Sequence, residues 1–214
     1  FTRHHRDHHS ARMYGTPVDP EYVANVLEAG NWRSGLGYAA FILAFPIIVF
    51  LRFLLTPLTF LSPVLRQAVL ERASSLTLNL RYRRRVTPFD RWAITMLEIP
   101  CFIRAAMIPT TIFLGVAPPS RIVLLYVLAL TTVMLNQMRQ LADHHFAGDG
   151  AAASWEAHIL DSCNFTGRDP LTWLFFPFSI RYHALHHLFP SMPYHNLKPA
   201  HEHLVQTLPV DSPY

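Results

Sequence analysis

Residues 93–138 read AITMLEIPCFIRAAMIPTTIFLGVAPPSRIVLLYVLALTTVMLNQM, and their reading decides the fold. Two apolar runs, 93–116 and 122–135, the second continuing through Asn136 and Gln137 to Met138, flank a tight turn at Ala117–Ser120. As a helix, Arg121–Met138 alone extends about 27 Å, close to the hydrocarbon thickness of a bilayer. A transmembrane hairpin follows. Composition agrees, because 51% hydrophobic with 15% charged residues over 214 positions is apolar for a soluble domain. The expected class is therefore all-α, an integral membrane helical protein. Glu98 and Arg104 sit inside the first run, six apart and so not a direct helical pair. In lipid each needs a polar neighbour, a protein-facing side or the headgroup layer.

Outward from the hairpin, Arg66, Arg72, Arg81, Arg83, Arg84, Arg85 and Arg91 crowd one interval before it, and Arg139 follows it. Such clusters beside apolar runs mark the cytoplasmic side of a membrane. They lack a recognition motif for nucleic acid, and no nucleic-acid partner is expected. A third apolar stretch, 38–65, is interrupted by Pro46, Arg52, Pro57 and Pro63, which suits a broken helix pair lying in the interface or dipping in partway. Cys101 and Cys163 are too few for a disulfide framework or a cysteine metal site, and fit a reducing compartment.

The pattern His-x-x-His-His occurs twice, in RHHRDHHS near the first residue and in RYHALHHLFPSMPYHNL at 181–197. Helical positions i, i+3 and i+4 share a face, so His5, His8 and His9 can direct three imidazoles at one centre, as can His183, His186 and His187. Imidazole suits iron, zinc, copper or nickel alike. Six such rings, with at least one more from QLADHH at 140–145, exceed what a single tetrahedral zinc takes, so two metals are the economical reading. Asp7 and Asp143 adjoin clustered histidines and are candidates to orient them. His4 is a candidate to stand behind the first cluster. His158, His201 and His203 read as solvated or hydrogen-bonded side chains, and His195 as a structural hydrogen bond. If the clusters share one site, the chain crosses the membrane an even number of times between them. The hairpin supplies two crossings and leaves 38–65 on the cytoplasmic side.

HRDHH, a membrane hairpin and then HALHHLFPSMPYHNL resemble the membrane fatty acid desaturase family, most closely over residues 4–9 and 136–205. What the resemblance implies is a non-haem di-iron centre at the cytoplasmic surface, within one desaturase-like domain over 1–214. Its parts would be an interfacial or re-entrant segment (38–65), the hairpin (93–138) and a histidine-lined helical cap (139–214). The implied metal ligands are His5, His8, His9, His183, His186 and His187. A further ligand, four positions after an amide residue in acyl-CoA desaturases, resembles the pair Gln140 and His144. His144 is then the seventh ligand, with Gln140 and Asn164 standing behind the metals. The family also carries an earlier histidine box after two earlier spans, and neither is in this sequence. With Phe1 at its start, the chain is expected to be a fragment lacking that region.

The implied activity is dioxygen-dependent desaturation of an acyl chain, with two iron ions as cofactor and O2 as co-substrate. Removing hydrogen from an unactivated methylene needs an oxidant that side chains cannot supply. The expected partners are a lipid acyl substrate, the membrane, and an external electron donor such as a ferredoxin or a small haem protein, because no flavin or haem motif is visible. A lipid or carotenoid hydroxylase or ketolase on the same iron site is the alternative. A His-rich metal transporter is disfavoured, since the spans contain no histidine.

Overall fold

Asn31 opens the first long helix by accepting the backbone N–H groups of Arg33 and Ser34 on its side chain, which satisfies donors the helix start leaves orphaned. The computed structural model describes residues 3–23, 27, 30–212 and 214. Over these the protein is all-α: α1 (Arg3–His8), α2 (Trp32–Leu54), a 3₁₀ turn (Thr56–Leu61), α3 (Pro63–Arg72), α4 (Pro88–Phe113), α5 (Ser120–Asp143), α6 (Trp155–Asp161), α7 (Pro170–Phe175), α8 (His183–Leu188) and α9 (Tyr194–Thr207). No strand occurs among the described residues beyond two isolated bridges.

Three helices, α2, α4 and α5, are long and apolar enough to cross a bilayer, about 35 Å or more each. Few of their residues are buried within the protein. Apolar helices left with so many exposed hydrophobic side chains need lipid around them, which makes this an integral membrane architecture. The hairpin matches the expectation, with α4 and α5 each starting or ending a few residues beyond the apolar runs. Thr87 and Asp90 form a reciprocal capping box at the start of α4, with Pro88 at the first helical position. Its end is a Schellman closure: Gly115 N–H reaches Ile112 O at 3.0 Å and Val116 N–H reaches Thr111 O at 2.9 Å. Gly115 adopts φ +70°, a conformation that only glycine reaches without strain.

The first apolar stretch differs from the expectation. Pro46 does not break it; α2 continues through it as one helix of 23 residues. Proline removes the donor to the Ile42 carbonyl; one residue on, the Leu43 carbonyl accepts the Tyr126 hydroxyl of α5 at 3.0 Å. The interruption comes instead at Leu55–Ser62, where Pro57 begins the 3₁₀ turn and Ser62 caps α3 ahead of Pro63.

The described chain forms two compact units. One is built chiefly on residues 30–134, with α2 packed along α4 and α3 against the 3₁₀ turn. Its polar centre is Glu98, whose carboxylate meets Arg66 Nη2 at 2.6 Å and the Arg52 guanidinium at closer range, all three side chains buried. Arg66 also donates to Thr95 (2.8 Å) and Thr59 (3.3 Å), and Arg52 to Thr56 (3.0 Å) and the Ala73 carbonyl (3.2 Å). Glu98 thus finds its neighbours in arginines 46 and 32 positions earlier, far outside any helical spacing. The other unit comprises residues 5–23 and 135–214 and carries every histidine except His4. Its apolar core is Tyr182, Leu185 and Leu197, against which Leu188, Met192 and Leu204 pack. The tail LFPSMPYHNL therefore supplies packing between α8 and α9.

Candidate metal centre

Backbone pairing sets the site. Residues 161–165 run as an extended segment between two neighbours: His145 N–H donates to Asp161 O (2.7 Å) and Cys163 N–H to Asp143 O (2.9 Å) on one side. On the other, Phe165 N–H donates to Arg181 O (2.7 Å) and Ala184 N–H to Cys163 O (3.2 Å). This brings the end of α5 and the start of α8 together, and with them His144 and His183.

Two sets of imidazoles result, and a third close group, His9, His158 and His187, spans them. In the first, His5 Nε2 lies 3.0 Å from His186 Nε2 and 3.1 Å from His9 Nε2. In the second, His183 Nε2 lies 3.1 Å from His144 Nε2 and 2.8 Å from His187 Nε2, while His8, His144 and His187 also close on one another within 4.8 Å. All seven histidines expected as ligands fall into these sets, and each cluster divides between them. His145 turns away, to Cys163 Sγ at 3.4 Å. Among the described residues His4 joins none of the close groups.

The far nitrogens of His5, His8 and His144 are held by partners that spacing did not reveal. His8 Nδ1 donates to Asp19 (2.9 Å) with both side chains fully enclosed, and Asp19 also accepts Gly15 N–H (2.9 Å) and Glu21 N–H (3.0 Å). His5 Nδ1 donates to Glu21 (2.9 Å). His144 Nδ1 donates to the Tyr14 hydroxyl (2.9 Å), which itself donates to Asp161 (2.6 Å). Asp143 stands 3.9 Å from His183 Nδ1. An imidazole whose Nδ1–H is engaged presents a lone pair at Nε2, the form in which histidine ligates.

Electrostatics favour the same form. Burial, reinforced by neighbouring imidazoles, holds His144, His183 and His187 well below the ordinary histidine range, and burial with His5 beside it takes His186 to about 4. His8 departs from this: burial lowers it, but Asp19 outweighs burial and raises it. Asp19 therefore favours a positive charge at His8, which a proton or a metal cation can supply.

The residues fit a metal by two observations. His8 Nε2 is buried without a hydrogen-bond partner, which is costly for a polar atom unless something absent from the chain satisfies it. Ligands at about 2.1 Å from one ion and at right angles to each other lie about 3.0 Å apart, the separation seen within both sets. Imidazole-only donors suit iron, copper, nickel or zinc.

Other candidates act at one remove. Gln140 Nε2 donates to the Glu21 carbonyl at 2.5 Å, bracing the residue that holds His5. Asn164 Oδ1 accepts Leu185 N–H at 3.4 Å, at the start of α8. His201 bonds Tyr214 (2.6 Å), and His195 and His203 are exposed. His158 is 1% exposed, with Nε2 2.5 Å from His187 Nδ1. Asp19, Glu21, Tyr14 and Asp161 escaped the sequence reading, and His158, read there as a solvated or hydrogen-bonded side chain, is buried and hydrogen-bonded. The one signal was that His158 lies three before Asp161 on a helix, sharing its face.

Comparison with known proteins adds what geometry cannot. The chain is similar to a ceramide hydroxylase of Caulobacter vibrioides (strain NA1000 / CB15N), at 37% identity over 213 residues, covering 98% of this chain and 60% of that protein. It thus spans about three fifths of that relative's length. No solved structure matches it. The model of the fatty acid desaturase family matches residues 1–214. With the whole length covered, the chain belongs to the fatty acid desaturase family.

Proposed function

We propose that this chain carries the metal centre of a membrane oxidoreductase that uses dioxygen to oxidise an unactivated C–H bond of a lipid acyl chain. The observation that carries the reading is the convergence of the six box imidazoles and His144, with the Nδ1 atoms of His5, His8, His144 and His187 engaged from behind. His5, His9 and His186 would hold one iron, and His8, His144, His183 and His187 the other. When bound, the iron pair supplies the oxidising power toward dioxygen that side chains lack.

The chain's own part is to hold and to shield. Glu21, Asp19 and the Tyr14–Asp161 pair fix the ring planes and hold the hydrogen on Nδ1, which turns Nε2 toward the metal. Enclosure of His8 and His187, at 0% and 1% exposure, keeps water from that set. Two electrons and two protons must arrive from outside for each dioxygen consumed, so a separate electron carrier docks on the same side of the membrane. We place the site on the cytoplasmic side, where the arginine-rich interval preceding α4 would lie.

Desaturation takes two hydrogens and returns two waters; hydroxylation inserts one oxygen and returns one water. Similarity to a ceramide hydroxylase over nearly the whole chain favours hydroxylation of a long-chain amide lipid, and family membership alone leaves desaturation as the second reading. The test is the full-length gene expressed in a ceramide-containing host, with lipids read by accurate-mass spectrometry. We expect ceramides heavier by one oxygen atom, abolished by His186→Ala and retained by His203→Ala. Lipids lighter by two hydrogens would make it a desaturase, and unchanged lipids with intact iron would sink the reading.

A further inference from the structure

The rings of the second set differ in what stands behind them. His8 has a carboxylate at its Nδ1, and His144 has a tyrosine already bonded to one. His187 has neither. Its Nδ1 faces the Nε2 of another imidazole, that of His158, at 2.5 Å. His158 sits on α6, three residues before Asp161, so one short helix reaches both His187 and the Tyr14–His144 pair. Tyr14 lies flat on the His158 ring, centroids 3.6 Å apart and planes within 26°, while its hydroxyl bridges His144 and Asp161.

We propose that His158 is the positioning residue for His187, a neutral hydrogen-bond acceptor in the place where His8 has a carboxylate and His144 a tyrosine bonded to one. The inference rests on the metal-centre reading above. With His187 Nε2 turned to the metal, its Nδ1 carries the hydrogen, and His158 Nε2 must accept it. His158 Nδ1 is then the protonated nitrogen; it is buried with no hydrogen-bond partner, so a second proton on this ring is disfavoured. A carboxylate under the Tyr14 face would be stripped of water with one donor to satisfy it, whereas a neutral ring stacks there without a charge to desolvate. Because an anionic acceptor makes an imidazole a stronger donor to a metal, the neutral one leaves His187 the less basic ligand of its set.

The experiment uses the full-length, iron-loaded protein in detergent and follows iron release to a ferrous chelator. His158→Gln keeps an acceptor on the side chain; His158→Leu removes it at similar bulk. We expect His158→Leu to release iron at least about tenfold faster, the scale of losing a partner behind a metal-bound histidine, and His158→Gln to stay within about twofold of the parent. Parent-like release from His158→Leu would show mere packing and overturn the proposal. Loss of iron in His158→Gln as complete as in His187→Ala would make His158 a ligand itself and also overturn it. A parent protein that takes up no iron removes the metal-centre reading, and this inference with it, whereas parent-like release by His158→Leu removes the inference alone.

Discussion

Asp19 is the residue on which the first turn of the site hangs. It is fully enclosed, and its two oxygens are used up by His8 Nδ1 and by the backbone N–H groups of Gly15 and Glu21. Gly15 reaches Asp19 from φ +74°, a left-handed turn that suits glycine. In Asp19→Asn one carboxylate oxygen becomes an NH2 group, which meets either an N–H or a ring nitrogen that must itself donate. Iron affinity should fall about 10–100-fold, measured as iron per chain after dialysis against graded chelator. Glu21→Gln, at a half-exposed position that can keep its acceptor, should lose much less. Equal losses in the two variants would mean that enclosure is not what gives Asp19 its weight.

At the scale of elements, the decisive contact is the one that ties α2, α3 and α4. Glu98 lies inside an apolar helix with Arg52 and Arg66 both closed on it, and the arginines' remaining donors are taken by three threonines and a carbonyl. Removing one partner from a buried ionic group strands the others without compensation, at about 3–5 kcal/mol. Glu98→Ala should therefore lower the thermal midpoint in detergent by several degrees and reduce the yield of folded protein. Thr110→Ala, on the same helix and satisfied by its own turn, should leave both unchanged. An unshifted midpoint in Glu98→Ala would show that the triad adds nothing to holding these helices together.

For the whole molecule, the question is how often the chain crosses the bilayer. On the metal-centre reading proposed above, His5, His8, His9 and His144 share one site, so the segment between them leaves and returns by the same face. Three helices there are apolar and long enough to cross, and an even number must do so. α4 and α5 are joined by a closed turn of a few residues and form the pair. α2 is followed at once by the 3₁₀ turn and α3, capped by Ser62, so we expect α2 to α3 to enter and leave from the side of the site. Single cysteines at Ser34 and Ser74 in an otherwise cysteine-free protein should react with an impermeant reagent from the same side of sealed vesicles. Labelling from opposite sides would make α2 a full span and require another crossing elsewhere between the boxes.

What the sequence determined by itself was whatever depends on local periodicity. Apolar runs of bilayer length declared the hairpin, and His-x-x-His-His placed three imidazoles on one helical face twice over. Both follow from 1.5 Å and 100° per residue and need no partner. Pro46 misled because the breaking rule is weaker within an apolar helix of membrane length, where proline is commoner and better tolerated, and α2 runs on unbroken through it. Tertiary structure alone decided which rings face each other: His5 and His9 with His186, and His8 with His144, His183 and His187, so that each box is shared between two sets. It alone paired Glu98 with arginines in other elements and brought Asp19, Tyr14, Asp161 and His158 behind the rings. The physical reason is that a hydrogen bond across the fold depends on where backbone turns bring two side chains, and no spacing along the chain encodes that meeting.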